Sequence, residues 1–234
     1  MKVLVLGHKG MLGHMVVKYL TDNNIDVVTT NVRWPESPFK LGIKLDYVIN
    51  CIGAIPQRTD NFDINWHLPI WLDLHSPCKV IHPGTDCEMD DDEYGISKRI
   101  ASNYIINSGN QTKILKTSII GPELNGNSSL LEWFLSQKEE VFGYTKAMWN
   151  GNTTLEWAKQ CLCLIQNWND YSSLTILESN LVNKFELLSL FKEVFNKDTL
   201  ITPKNLGKDK TLSGDILTPQ LKLQLTELKN YYYE

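Results

Sequence analysis

The first half of the chain alternates short, wholly apolar runs with longer segments whose apolar residues recur every three to four positions. Residues 2–6 (KVLVL) form an unbroken apolar run stopped by Gly7, the pattern of a strand buried on both faces. Further strands are expected at 26–30 (DVVTT), 47–52 (YVINCI), 79–82 (KVIH) and 113–120 (KILKTSII). Helical spacing marks 11–20, 64–74 and 94–106. Residues 31–44 hold Pro35, Pro38 and Gly42 and read as a loop with at most one turn. Strands alternating with helices predict an α/β fold, a parallel sheet covered on both sides. The pattern changes after residue 124. Helices are expected at 130–136, 154–165, 184–195 and 219–232, with short strands near Leu174 and Leu200. Two parts follow from this: 1–124 as the main body and 125–234 as a smaller α/β lobe, some segments of which return to the body.

Composition narrows the classes. At 234 residues, 42% hydrophobic and 21% charged, the chain can bury a real core as a globular protein. The net charge of −4 and the absence of a dense Lys/Arg block argue against nucleic acid and against a polyanionic membrane surface. No apolar run reaches the ~18 residues that span a bilayer. The apolar stretch at the N-terminus is too short for a signal peptide and reads as a strand. Five cysteines, an odd number without CxxC spacing, fit structural thiols in a reducing, cytoplasmic setting. Cys51 and Cys78 are expected inside core strands.

Candidate chemistry begins at the first strand–helix junction. Gly7, Gly10 and Gly13 stand at G-x-x-G-x-x-G between them. The first glycine permits a tight turn and the second lets backbone approach a pyrophosphate. The third lets helix pack on strand, so that the phosphates meet backbone N–H groups at Gly10, Met11 and Leu12. The alternative is an ordinary glycine turn. An NAD site usually carries an acid about 20 residues after the glycines. Here Asn31 and Arg33 occupy that region without a carboxylate. Arg33, helped by Lys9, would pair with a 2′-phosphate, so NADPH is favoured, with NADH as the alternative. An exposed loop arginine is the plainer reading of Arg33.

Tyr94 and Lys98 stand at i and i+4, about 6 Å apart on one helix face. An ammonium there would lower the phenol's pKa from its ordinary value near 10 and make Tyr94 a general acid. Alone, Y-x-x-x-K is also a common chance pair. Its place after a nucleotide loop and the fourth strand gives it weight, as does Thr85 at that strand's end, where ligands of open α/β sheets bind. The acidic run from Glu88 through Glu93 reads as a solvated loop near a helix N-terminus rather than a metal site.

Taken together, VLVLGHKGMLG, VINCIGAIPQ, Asn65 in FDINWHLP, HPGTDC, YGISKR, KTSIIGPEL, SLLEWFLSQ and WNGNTTLEWAK resemble the extended short-chain dehydrogenase/reductases over nearly the whole chain. The resemblance is to the dTDP-4-dehydrorhamnose reductase-like branch, which reduces nucleotide-diphospho-4-keto-6-deoxy sugars. It implies a Rossmann-like doubly wound sheet at 1–124 that binds NADP and a substrate lobe at 125–234. Tyr94 then matches the catalytic tyrosine, Lys98 the lysine that also holds the nicotinamide ribose, and Thr85 the family's Ser/Thr. Cys51, Ile52 and Gly53 match the segment lining the cofactor. Thr85 and Asp86 face the substrate, with Trp149 shaping its pocket or serving as core. Cys87 stands where related dehydratases carry an acid, which favours a simple reductase. Only eight residues separate Thr85 from Tyr94, fewer than in the family, and the segment between strands two and three is also short. The pocket is then more open, or closed by a partner subunit as in a homodimer. A non-catalytic NADP-binding regulatory subunit and a nucleotide-sugar epimerase or dehydratase are the rival readings.

Overall fold

The computed structural model describes residues 1–39 and 42–234; Lys40 and Leu41, inside the expected 31–44 loop, lie outside the described residues. The expected strand–helix alternation is found: β1 (Lys2–Leu6), α1 (Met11–Asp22), β2 (Asp26–Thr29), β3 (Tyr47–Asn50), α2 (Ile64–His75), β4 (Lys79–Gly84), α3 (Glu93–Ser108) and β5 (Thr112–Lys116). The rest comprises β6 (Ile119–Ile120), α4 (Leu130–Ser136), β7 (Val141–Tyr144), β8 (Met148–Trp149), β9 (Asn152–Thr153), α5 (Thr154–Gln166), β10 (Leu174–Glu178), β11 (Val182–Asn183), α6 (Lys184–Val194), β12 (Ile201–Lys204), β13 (Ile216–Leu217) and α7 (Leu221–Tyr232).

The main sheet has seven strands in the order β2-β1-β3-β4-β5-β10-β13, the parallel α/β fold that the pattern predicts. From β1 the chain steps outward to β2, then crosses back to β3 on the other side of β1. Crossovers of one hand running in opposite directions place α1 and α2 on opposite faces and leave a crevice between the C-terminal ends of β1 and β3. That crevice is the switch point where ligands of open sheets bind.

The chain divides into two compact units, one of 1–116 with 158–175 and one of 117–157 with 176–234. The sequence pattern sets the boundary at 124 and lets later segments return to the body; by compactness the first unit ends at Lys116 and includes 158–175.

In the first unit Leu4, Leu6, Val48, Leu68, Leu72 and Val80 make a solvent-free core. The short β2–β3 segment is not idle. Trp34 and Phe39 pack on this core, meeting Trp71 of α2 edge-on and stacked at 5.4 and 5.7 Å. Two aromatics thus cover a sheet face that a helix would otherwise cover. The cysteine expectation fails in detail: Cys51 follows β3, Cys78 precedes β4, and both are half-buried. The expected strand 113–120 is two strands, because β5 stops at Lys116.

The second unit is built from two-stranded pairs, β6 with β9, β7 with β12 and β8 with β11, beside α4, α6 and α7. WNGNTT owes its polar residues to packing. Asn152 donates to Thr117 Oγ1 (2.9 Å) and accepts from Gln224 Nε2 (2.9 Å), while Thr153 N–H donates to Gln224 Oε1 (2.9 Å). Asn150 and Leu212 exchange two bonds at 2.7 and 3.0 Å. With Asn152 and Thr153 fully buried, these bonds are the satisfaction that buried amides require. Trp149 is half-buried, and its indole lies against Gly151, where a β-carbon would fall 2.4 Å from the ring. No helix among the described residues is long and apolar enough to cross a membrane.

Candidate active site

Three elements of the first unit meet at the C-terminal ends of β1, β3 and β4. The first is the glycine turn. Gly7 has φ +74°, the left-handed region that only glycine enters freely, and a β-carbon there would lie 2.7 Å from the Cys51 carbonyl oxygen. Gly13 is more tightly held: its β-carbon would fall 2.1 Å from the Gly7 oxygen. Gly10 differs, since a β-carbon would meet only that oxygen, at 3.3 Å. Gly10 precedes α1, whose first turn has neither a side-chain cap nor an acidic residue. An uncapped helix N-terminus with a bare backbone in front of it is suited to an anion. Lys9 is exposed on this turn; Arg33 and Asn31 are exposed beyond β2, and Arg33 makes no ion pair among the described residues.

The second element is the segment after β3. Ile52 N–H donates to Asn50 Oδ1 (3.1 Å), which turns Asn50 Nδ2 toward His82 Nδ1 at 3.2 Å. His82 Nδ1 is therefore an acceptor and the ring proton sits on Nε2. Burial and the nearby Lys98 charge hold the His82 pKa well below the usual range. A depressed folded-state pKa gives stability that is complete above the unfolded value near 6.5 and lost as pH falls below it. Urea unfolding should lose about 1.4 kcal/mol per pH unit below 6 on account of this one group. In His82→Gln that component of the slope should vanish.

Asn65 on α2 fixes the same segment. It accepts from Ala54 N–H (2.7 Å) and donates to Ala54 O (3.0 Å) and Ser97 Oγ (3.2 Å), and Ser97 Oγ donates to Tyr94 O (2.7 Å). One buried amide thus ties the expected cofactor segment to the helix bearing Tyr94. The sequence reading placed Asn65 in a motif but gave it no role. Its only signal was an asparagine at the start of a helix whose neighbours are apolar.

The third element brings Thr85 beside Tyr94, close enough for its hydroxyl to act on the phenol. Phe62 meets the Tyr94 ring edge-on at 5.6 Å. The electrostatics correct the sequence expectation. The Tyr94 pKa is raised, not lowered, first by burial and then by Cys87, Asp86 and Glu88, with the Thr85 hydroxyl opposing. Lys98 is 7% exposed and donates to the Pro83 carbonyl oxygen at 3.2 Å. Burial lowers its pKa, with Glu88 and Cys87 opposing that shift. One of the ammonium's three N–H donors goes to the end of β4, and Lys98 is not among the groups that shift the phenol. Asp86, expected at the substrate, is 4% exposed, and its Oδ1 accepts from Thr85 Oγ1 at 3.0 Å. It orients Thr85 instead. Trp149 belongs to the second unit.

A phenol that stays protonated at neutral pH is equipped to bind a carbonyl oxygen and give it a proton.

No family model matches the chain, and a sequence search of curated proteins finds no match. Solved structures do match its fold. A dTDP-4-dehydrorhamnose reductase from Clostridium acetobutylicum superposes with a TM-score of 0.77 at 19% identity, covering 100% of both chains. One from Bacillus anthracis, in complex with NADP, gives 0.76 at 12% identity over 99% of each chain. A UDP-N-acetylglucosamine 4-epimerase from Bacillus cereus gives 0.72 at 16%, covering 100% of this chain and 96% of that one. The chain therefore has the α/β fold of these nucleotide-sugar proteins, and that fold is common to reduction and epimerisation.

Proposed function

We propose that the protein is an NADPH-dependent reductase of the C4 ketone of a nucleotide-diphospho-4-keto-6-deoxy sugar. The observation that carries this reading is a buried, protonated Tyr94 beside Thr85 at the C-terminal end of β4, next to the switch-point crevice. The residues present fit a dinucleotide: a bare Gly10 backbone, an uncapped α1 and an exposed Arg33 lie along one sheet edge. Backbone N–H groups at Met11 and Leu12 would hold the pyrophosphate, the Gly10 N–H being donated to the Gly7 oxygen at 2.9 Å; Arg33 with Asn31 and Lys9 would hold the adenosine 2′-phosphate, and Cys51–Gly53 with Lys98 the nicotinamide half. When bound, that cofactor supplies the hydride. Tyr94 Oη binds the C4 carbonyl oxygen and gives it a proton as the alcohol forms, with Thr85 beside it. An alkoxide is more basic than a phenolate, so the proton runs downhill even from a phenol of raised pKa. Asp86 keeps the Thr85 hydroxyl oriented. Cys87 in place of an acid favours reduction without dehydration.

Steady-state NADPH oxidation with UDP- and dTDP-4-keto-6-deoxy sugars tests the reading; no ketosugar-dependent rate with either nucleotide would refute it. Arg33→Ala should weaken NADPH about tenfold while leaving NADH unchanged, as expected from the loss of one charge-assisted contact.

The second reading is a non-catalytic NADP-binding subunit, favoured by the engagement of Lys98 with Pro83. Such a protein binds NADPH, does not turn over, and keeps its function as Tyr94→Phe.

A further inference from the structure

Only eight residues join Thr85 to Tyr94, and their local structure is unusually constrained. Residues Asp86–Met89 form a 3-10 turn with Thr85 as its cap. Thr85 N–H donates to Glu88 Oε1 at 2.9 Å, and Cys87 N–H donates to Thr85 Oγ1 at 3.3 Å. The second carboxylate oxygen, Glu88 Oε2, accepts from Lys116 Nζ at 2.8 Å. Both side chains are withdrawn from water, at 5% and 13% exposure. Lys116 ends β5 directly opposite Gly84, the last residue of β4. A β-carbon at Gly84 would lie 2.8 Å from Lys116 Cβ, so only glycine lets the lysine stem cross the strand end toward Glu88. Arg99 donates to the Glu88 and Asp90 carbonyl oxygens at 3.0 and 3.2 Å. Gly95 lets the turn sit on α3, since its β-carbon would meet the Cys87 oxygen at 2.4 Å.

We propose that Glu88 and Lys116 are a positioning pair that fixes the Thr85 backbone and places a buried negative charge beside Tyr94 and Lys98. This rests on the reductase reading for its kinetic consequence only. A buried ion pair is seldom kept for stability, because desolvation offsets most of the attraction and apolar replacements are often neutral. Here the geometry supplies another reason. Glu88 is bonded to the residue beside Tyr94, and its charge acts on both functional groups of α3. The charged and titratable groups around it are Lys116 from β5, Tyr94, Lys98 and Arg99 from α3, and Asp86 and Cys87 from the turn itself. Through this pair the turn does locally what a longer wall would do by bulk.

Glu88→Gln keeps an acceptor for Thr85 N–H and loses the charge; Glu88→Gln with Lys116→Met removes both charges. The single variant should lower kcat at least tenfold with NADPH affinity within threefold. The double variant should regain thermal stability without regaining kcat. Two readouts need no substrate. In the free protein, Tyr94 carbon-13 NMR, assigned with Tyr94→Phe, should titrate at lower pH in Glu88→Gln than in the wild type. The Thr85 amide should exchange at least tenfold faster in Glu88→Ala. An unchanged Tyr94 titration or an unchanged Thr85 exchange rate overturns the proposal. So does a double variant with wild-type kcat. If the wild type reduces no ketosugar, the two substrate-free measurements still decide it.

Discussion

Replacing Tyr94 with phenylalanine should lower ketosugar-dependent NADPH oxidation about 100- to 10,000-fold, the usual contribution of one positioned acid. The ring is retained, so its edge-on contact with Phe62 survives and NADPH should bind within a factor of two or three. The electrostatics sharpen the expectation. Burial and the charges of Cys87, Asp86 and Glu88 push the Tyr94 pKa upward, so the phenol is the form present throughout the neutral range. The kcat profile should then show no alkaline limb from Tyr94 between pH 7 and 10. A fall in rate centred well below 10 that disappears with the phenylalanine would mean a tyrosine tuned downward, as helix spacing alone suggested. The same raised pKa has a stability consequence. A folded-state value above the unfolded one gives stability that is full below about pH 10 and is lost as pH rises further. Alkaline unfolding should be delayed in Tyr94→Phe. Turnover of Tyr94→Phe at the wild-type rate would remove the reductase assignment altogether.

The glycines separate fold from function more cleanly than any other group. In Gly13→Ala the new methyl would stand 2.1 Å from the Gly7 carbonyl oxygen, with backbone on both sides and no side chain to move aside. Overpacking against backbone costs about 3 kcal/mol, which in a protein of this size lowers Tm by roughly 10 °C. At Gly10 the same methyl meets one oxygen at 3.3 Å, which a shift of a few tenths of an ångström relieves. Gly10→Ala should therefore fold with near wild-type Tm. It should lose NADPH affinity tenfold or more, about 1.4 kcal/mol, because the methyl stands in front of the uncapped α1. Calorimetry on both variants and a fluorescence titration with NADPH would check the pair. Equal stability loss in both, or undiminished binding by Gly10→Ala, would return the motif to an ordinary turn.

Much of the first unit was legible in the chain. The runs KVLVL, YVINCI and KVIH lie between segments of helical period, and those local signals place β1, β3 and β4 within two residues of where they are found. The glycine spacing located the turn before α1. What the sequence did not reveal is non-local. The two-residue strands β8, β9, β11 and β13 exist only because distant segments pair, so no run or period announces them. Trp34 and Phe39 read as loop residues, yet they close over the core against Trp71. The acidic stretch read as solvated, and most of it is, but Glu88 is buried and bonded to Thr85 and Lys116.

The sequence by itself thus determined the order of strands and helices through β5, the glycine turn, and the presence of Thr85, Tyr94 and Lys98 at one sheet edge. These follow from periodicity and spacing, which are properties of neighbouring residues. Only the tertiary structure decided the electrical character of the site. A pKa is set by burial and by charges summed over every group within reach, and here that sum runs over the turn between β4 and α3. Spacing put a lysine one turn from Tyr94. Packing turned that lysine to Pro83 and brought Asp86 and Glu88 near the phenol instead.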